Sequence, residues 1–395
     1  MKRRIEFFGV LFFIFIFISL FCSSKSAIEY DYSKYMIDDP VWETSANKID
    51  LFHKEKLQAK KNWPKQEATI TAVGDVALNF AFMEEVMAKV SSKYGKEAAL
   101  KYPFKNVKNE FKGIVFCNLE APITKNSIKA FPDKDEVFYF ASPAGSEYIL
   151  KQAGFNIASL ANNHIKDCGD EGMFETAERL LSVNINPVGI GKNIDEALRP
   201  LYVWHRGVRI AFFAINNVIP KSVWATPFSP GAAGGSDELI ISAIKRVKDE
   251  VDTVVVSIHW GEEVVVDFPI AVPQKEQVEL GHKLIDAGVS CILGHQSHGI
   301  GKVELYKNGI IFYSLGDFVF AGRNSANHRV SIIARVNLSA RGLESFTIIP
   351  VNINPLEVQY SPVILPEKKG RGVIDNILVD KESRYIDYYT SKANF

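Results

Sequence analysis

Cys291-Ile-Leu-Gly-His-Gln-Ser-His-Gly-Ile-Gly-Lys-Val-Glu-Leu-Tyr-Lys-Asn-Gly-Ile-Ile-Phe-Tyr-Ser-Leu-Gly-Asp-Phe-Val-Phe320 opens as a short apolar run and turns at Gly294. It then presents His295 and His298, three positions apart. A glycine at a strand end lets the chain leave sharply, and neutral imidazole is the commonest metal ligand. Gly-His-x-x-His at the end of a strand therefore aims two imidazoles toward one point. Two apolar runs around Asn308-Gly309 follow, the signature of a tight hairpin.

Outward from this stretch, short apolar runs alternate with amphipathic segments. Strands are expected at 68–73, 113–117, 155–160, 254–258 and 290–293. Helices are expected at 81–94, 143–153, 171–181, 236–248 and 274–287. Segments 201–204 and 208–215 read as a hairpin around Arg206-Gly207, and 329–338 and 342–351 as two further strands. Strands alternating with helices, with several hairpins, define an α/β layered fold whose sheets are covered by helices.

The chain has 395 residues, 46 Lys plus Arg and 46 Asp plus Glu. A chain with no net charge gives no support to a nucleic-acid partner, which needs a basic surface. Cysteines are Cys22, Cys117, Cys168 and Cys291. With Cys22 in the leader, three remain, and an odd number cannot fully pair. Buried free thiols are the simpler reading.

Residues 1–27 have the layout of a secretory signal or an N-terminal membrane anchor. Lys2, Arg3 and Arg4 precede an apolar run from Phe7 to Phe21, and small polar residues follow. Cleavage after Ser26 and lipidation of Cys22 compete, with bulky Phe21 arguing against the second. Each route places the protein outside the cytoplasmic membrane: secreted, anchored or a lipoprotein. Residues 28–66 read as a linker or peripheral segment, 67–352 as the folded domain and 353–395 as a polar C-terminal tail.

Ligand chemistry in α/β sheets gathers at the carboxyl ends of strands. Five expected strand ends carry polar clusters: Asp75; Asn118 with Glu120; Asn162, Asn163 and His164; His259 with Glu262; and His295 with His298. Singly, each has an ordinary explanation as a turn, a backbone cap or a core histidine. Together they form a mixed nitrogen and oxygen donor set suited to a divalent Zn, Mn or Fe ion. His53, His205, His282 and His328 lack that setting and read as ordinary surface or core residues.

The motifs Gly74-Asp75, Asn118-Leu-Glu-Ala-Pro122, Ala161-Asn-Asn-His-Ile-Lys-Asp-Cys-Gly-Asp-Glu-Gly172, His259-Trp-Gly-Glu-Glu263, Gly294-His-Gln-Ser-His298 and Tyr313-Ser-Leu-Gly-Asp-Phe318 occur in this order. In that order they resemble the bacterial capsule-synthesis CapA family, which is tied to poly-γ-glutamate capsule production. The resemblance covers roughly residues 68–325. It implies a metallophosphatase-like fold, a four-layer α/β/β/α sandwich, with a site for one or two divalent metals. Asp75, Glu120, Asn163, His259, His295 and His298 would be ligands. His164 would face the substrate as general acid or charge stabiliser. Asn118, Asn162, Asp167 and Glu262 would orient these groups. An anionic envelope polymer such as poly-γ-glutamate and membrane-bound capsule synthase subunits would be the partners.

Three departures from the related calcineurin-like phosphoesterases stand out. Ala77 occupies the place of a histidine in the usual Asp-x-His. Glu120 replaces the bridging aspartate, and the last histidines are spaced by two residues rather than one. The expected function is an extracytoplasmic capsule-synthesis protein with a metal-dependent, hydrolase-like site acting on envelope polymer or its carriers. A membrane-tethered binding, assembly or export factor without turnover is the alternative from another class. A secreted phosphoesterase unrelated to capsule is the third.

Overall fold

The apolar run from Ala68 forms strand β1 (Ala68–Ala77), and its two edges organise the first sheet. The computed structural model describes residues 67–78, 81–125, 139–263, 270–320 and 329–379. The expectations for residues 1–66, Cys22, His53 and His328 lie outside these residues.

On one edge, β1 pairs in parallel with β2 (Ile114–Leu119), which is followed outward by β3 (Ile157–Ser159) and β4 (Asn186–Val188). Pro187 sits on this last strand, where the missing N–H costs no ladder bond. The other edge of β1 is shared. Ala68–Ala72 pairs antiparallel with a long strand of the C-terminal hairpin, whereas Asp75–Ala77 pairs in parallel with a short strand that starts at Asp317.

The second sheet comprises β5 (Leu201–His205), β6 (Val208–Asn217), β7 (Thr253–Trp260), β8 (Val289–His295), β9 (Val303–Tyr306) and β10 (Gly309–Phe312). Spatially the order is β9-β10-β8-β7-β6-β5, with four parallel strands inside and antiparallel strands at both edges. The continuous apolar sequence of β7 fits a strand buried on both faces. Four further strands belong to the first sheet: β11 (Asp317–Phe320), β12 (Val330–Ser339), β13 (Gly342–Asn352) and β14 (Val363–Ile364).

Side chains alternate across each strand, so each sheet has two apolar faces to cover. The inner faces meet at Phe116 and Phe212, 6.3 Å apart, and at Phe312 and Phe346, 6.4 Å apart. Helices α1 (Ala81–Tyr94), α2 (Lys96–Lys101), α3 (Ser146–Ala153) and α4 (Gly169–Ser182) belong to the first half of the chain, and α4 packs against β4. Helices α5 (Asp237–Val247) and α6 (Lys275–Asp286) cover the outside of the second sheet. Ile240, Ile244, Leu280 and Leu284 join Phe213, Val254, Val256 and Ile258 in one core there. Ser236 caps α5 by accepting from Leu239 N, and Gln274 with Gln277 forms a capping box on α6. The result is the expected α/β/β/α layering.

The expected tail is a correction. The fold continues past residue 352, because β14 adds to the edge of β13 and α7 (Glu367–Ile377) packs on the same strand. Ile374 and Ile377 are its buried contacts, set among Lys, Arg and Gly, which explains why the segment reads as polar. Among the described residues, no helix is long and apolar enough to cross a membrane.

Candidate metal centre

β1, β2, β7 and β8 all bring their carboxyl ends to one place between the sheets. Gly74 is required there. A Cβ at this position would lie 1.8 Å from the Gly316 carbonyl oxygen. The close crossing is sealed by Asp75 N donating to Gly316 O at 2.9 Å. It also sets Asp75 in parallel register with Asp317.

Asp75, Glu120 and His298 each present a donor atom within 4.8 Å of the others, and all three are buried. His298 Nδ1 is 4.0 Å from Asp75 Oδ2, and its Nε2 is 4.0 Å from Glu120 Oε1. His295 Nδ1 lies 2.9 Å from Asp75 Oδ1. His259 Nε2 is 3.6 Å from Glu120 Oε1 and 3.1 Å from Asn163 Oδ1. His298 carries φ +58 and Gln296 φ +88, left-handed backbone that L side chains adopt at a cost and that concentrates at functional sites.

The donors are short of partners. Asp75 Oδ2, both Glu120 oxygens and both ring nitrogens of His295 are buried without a hydrogen bond. The close His295–Asp75 pair therefore lacks hydrogen-bond alignment. Oxygen and nitrogen donors about 3–4 Å apart and unaligned with one another are spaced as ligands of a common ion whose bonds are each roughly 2.0–2.2 Å. Buried carboxylate oxygens left without partners would cost several kcal/mol. A divalent cation answers both the orphaned atoms and the excess negative charge, so this donor set fits one.

Burial shapes the charges as well. Burial alone would raise Asp75, but His295, His259 and His298 outweigh it and hold the carboxyl well below the usual range. Glu120 moves the opposite way, pushed well above its ordinary value by burial, then by Asp75, against the pull of His298. Burial takes His259 down to about 3 despite Asp75, leaving a neutral imidazole able to ligate. His298 is held well above its ordinary value: burial opposes its charge, but Asp317 and Glu120 prevail.

Beside this group, His164 is oriented rather than orphaned. Its Nδ1–H donates to Asp167 Oδ2 at 2.9 Å, and Phe140 lies over its ring at 4.0 Å. Asp167 Oδ2 also accepts from Phe140 N. His164 Nε2 is left directed to the carboxylate side, 3.9 Å from Glu120 Oε1. Asn162 holds the loop. It donates to Leu119 O at 2.9 Å and to Asn118 Oδ1 at 3.3 Å, and accepts from His164 N. Asn118 in turn donates to Asp75 Oδ1 at 2.9 Å.

The structure thus gathers Asp75, Asn118, Glu120, Asn162, His164, Asp167, His259, His295 and His298 into one buried assembly, with half-buried Asn163 at its edge. Glu262 is a correction. It is exposed and lines a neighbouring cavity of about 440 Å³ instead of orienting an imidazole. Gly261 turns with φ +78 after β7, and it is Glu263 that approaches His298 Nε2, at 3.8 Å. Ala77 falls among Ala121, Phe140 and Phe320, an apolar cluster against the imidazoles. Asp317 is the residue that the sequence reading left out. It binds His298 Nδ1 at 2.8 Å, and carboxylates in this position orient metal-ligating imidazoles. Its signal was present, since Gly316-Asp317 repeats Gly74-Asp75. His282 stacks on Tyr306 at 3.8 Å and pairs with Glu304, a structural role.

The chain is an α/β/β/α sandwich of metallophosphatase-like fold, with a buried Asp-Glu-His donor set at its strand ends. Within that class, the chain belongs to the family described as "Bacterial capsule synthesis protein PGA_cap", whose sequence profile matches residues 69–322. It is 28% identical over 321 residues to a "Capsule biosynthesis protein CapA" of Bacillus anthracis, covering 80% of this chain and 74% of that one. A "PGA biosynthesis protein CapA" of Bacillus subtilis (strain 168) is 28% identical over 319 residues, covering 79% and 80% respectively. Among solved structures, the NAD nucleotidase of Haemophilus influenzae aligns with TM-score 0.42 and 13% identity. That alignment covers 82% of this chain and 57% of the nucleotidase, so the chain spans little more than half of that neighbour.

Proposed function

We propose that this chain is an extracytoplasmic capsule-synthesis protein of the poly-γ-glutamate type. Its metal centre acts on the anionic envelope polymer, or on the carriers of that polymer, by hydrolase-like chemistry. The observation that carries this reading is the buried, hydrogen-bond-deficient set of Asp75, Glu120 and His298 beside an oriented His164. Relatives named for capsule and PGA biosynthesis support the polymer class. The basic and then apolar N-terminus supports action outside the cytoplasmic membrane, by secretion, anchoring or lipidation at Cys22.

Asp75, Glu120 and His298 would hold a divalent Mn, Zn or Fe ion, with His295, His259 and Asn163 completing the donors around it. Such an ion supplies Lewis-acid polarisation of a phosphoryl or carbonyl oxygen. The residues do the rest. Asp167 accepts from His164 Nδ1–H and stabilises the imidazolium form of the ring, whose Nε2–H can then pass to a leaving group. Asp317 fixes the His298 ring. Phe140 and Phe320 exclude water from one side of both imidazoles.

A second reading, polymer binding without turnover, draws on Ala77. The i+2 neighbour of Asp75 offers only a methyl group to the site. One experiment separates the two. Full-length protein loaded with Mn is incubated with γ-linked glutamate oligomers and with a phosphodiester, and products are measured by mass. Turnover falling about 10²–10⁴-fold in His164→Ala, with Mn uptake retained, is expected. No turnover by the wild type, with capsule output unchanged in a His164→Ala strain, would leave only the binding role.

A further inference from the structure

Asn216, the penultimate residue of strand β6, has no role in the chemistry above. Asn216 stands in parallel register with His259, so its side chain leaves the sheet on the same face as that imidazole. It is fully buried, at 0% exposure. Its Oδ1 accepts from Val218 N at 3.1 Å, which fixes the amide orientation and leaves Nδ2 as the remaining group. Nδ2 has no acceptor among the described residues.

A second orphaned donor lies close by. Trp224 Nε1 is buried and also without an acceptor. The Trp224 ring and the Asn216 backbone pack on one glycine: a Cβ on Gly234 would be 2.6 Å from Trp224 Cδ2 and 2.8 Å from the Asn216 backbone oxygen. The loop that carries Trp224 is fastened to the His164 loop, because Lys166 Nζ donates to Pro230 O at 3.1 Å. Each buried N–H without an acceptor costs about 1–3 kcal/mol, a cost that a bound oxygen would remove. A buried N–H donor without an acceptor suits an oxyanion and repels a cation.

We propose that Asn216, with Trp224 beside it, binds an anionic oxygen of the substrate, carboxylate or phosphoryl, at the β6 side of the metal centre. This deepens the proposed function and rests on it for the identity of the substrate. Asn216→Asp is the decisive variant. It keeps an acceptor for Val218 N–H and replaces the donor with a repelling oxygen. Trp224→Phe removes only the indole N–H and keeps a ring.

Full-length protein loaded with Mn is titrated calorimetrically with inorganic phosphate and, separately, with a γ-linked glutamate oligomer. Asn216→Asp is expected to weaken binding at least about tenfold, and Trp224→Phe by a smaller factor, with Mn uptake and thermal midpoint unchanged. The probe that loses affinity identifies the source of the oxyanion. Asn216→Asp protein that binds both probes as the wild type does overturns the proposal and leaves the metal centre standing, as does Mn-loaded wild type that binds neither. Wild type that takes up no Mn, yet loses anion affinity in Asn216→Asp, supports the donor pair and overturns the metal reading.

Discussion

Gly74-Asp75 and Gly316-Asp317 are the same dipeptide, set side by side in parallel register, and they serve the site differently. Asp75 keeps Oδ2 without a partner and faces three imidazoles. Asp317 is engaged by His298 Nδ1 at 2.8 Å. The first carboxylate is arranged to meet a cation, and the second to aim an imidazole at it. What separates them is topology. The left-handed turn at Gln296 and His298 brings the ring onto Asp317, whereas Asp75 points between the sheets. A Gly-Asp strand end thus acquires its role from the partner that the fold delivers.

Substitutions should separate the two. Asp75→Ala removes a charged donor at the centre of the set, and stoichiometric metal uptake by elemental analysis should be lost. Asp317→Ala leaves the donors in place but frees the His298 ring, and metal affinity should fall about 10–100-fold, measured by competition with a chelating dye. Equal losses in the two variants would erase the distinction. pH sharpens it further. In the metal-free protein, His298 and Glu120 both sit above their ordinary values, so protons compete with an entering cation at higher pH than they would at the free side chains. Asp75 and His259 are already deprotonated near neutrality and contribute no slope. Metal affinity should therefore rise with pH, up to about tenfold per unit for each proton released, and level off once His298 is neutral. An affinity that falls as pH rises would contradict these assignments. The smallest effect belongs to Glu262→Gln, which should leave metal affinity unchanged because Glu262 is exposed. Glu263→Gln should have the larger effect of the two, through its approach to His298.

Much of the site was legible because apolar runs that end in polar clusters mark strand ends, and the strands at Asp75, Asn118, His259 and His295 do end there. Asp317 carried a signal in the repeat of Gly74-Asp75, but Gly316-Asp317 sits between two apolar runs and reads as a turn closing a wall, which masked it. Glu262 was misplaced by a single residue. Alternation along β7 stops at Trp260, and the positive φ of Gly261 resets which side chain faces inward. Asn216 was hidden for a similar reason: Asn216-Asn217 reads as the polar end of a hairpin strand, and only the register with His259 reveals its face. The C-terminal elements were missed because β14 is two residues long and gains its stability from the edge of β13, not from its own pattern.

The central claim is that the orphaned carboxylates at the β1 and β2 ends hold a divalent ion. Its most direct test is elemental analysis of full-length protein after loading with Mn or Zn and removal of excess, with Asp75→Ala prepared in parallel. The account predicts a stoichiometric ion in the wild type and its loss in a folded Asp75→Ala. A wild type that retains no metal, or an Asp75→Ala that retains as much as the wild type, would contradict it.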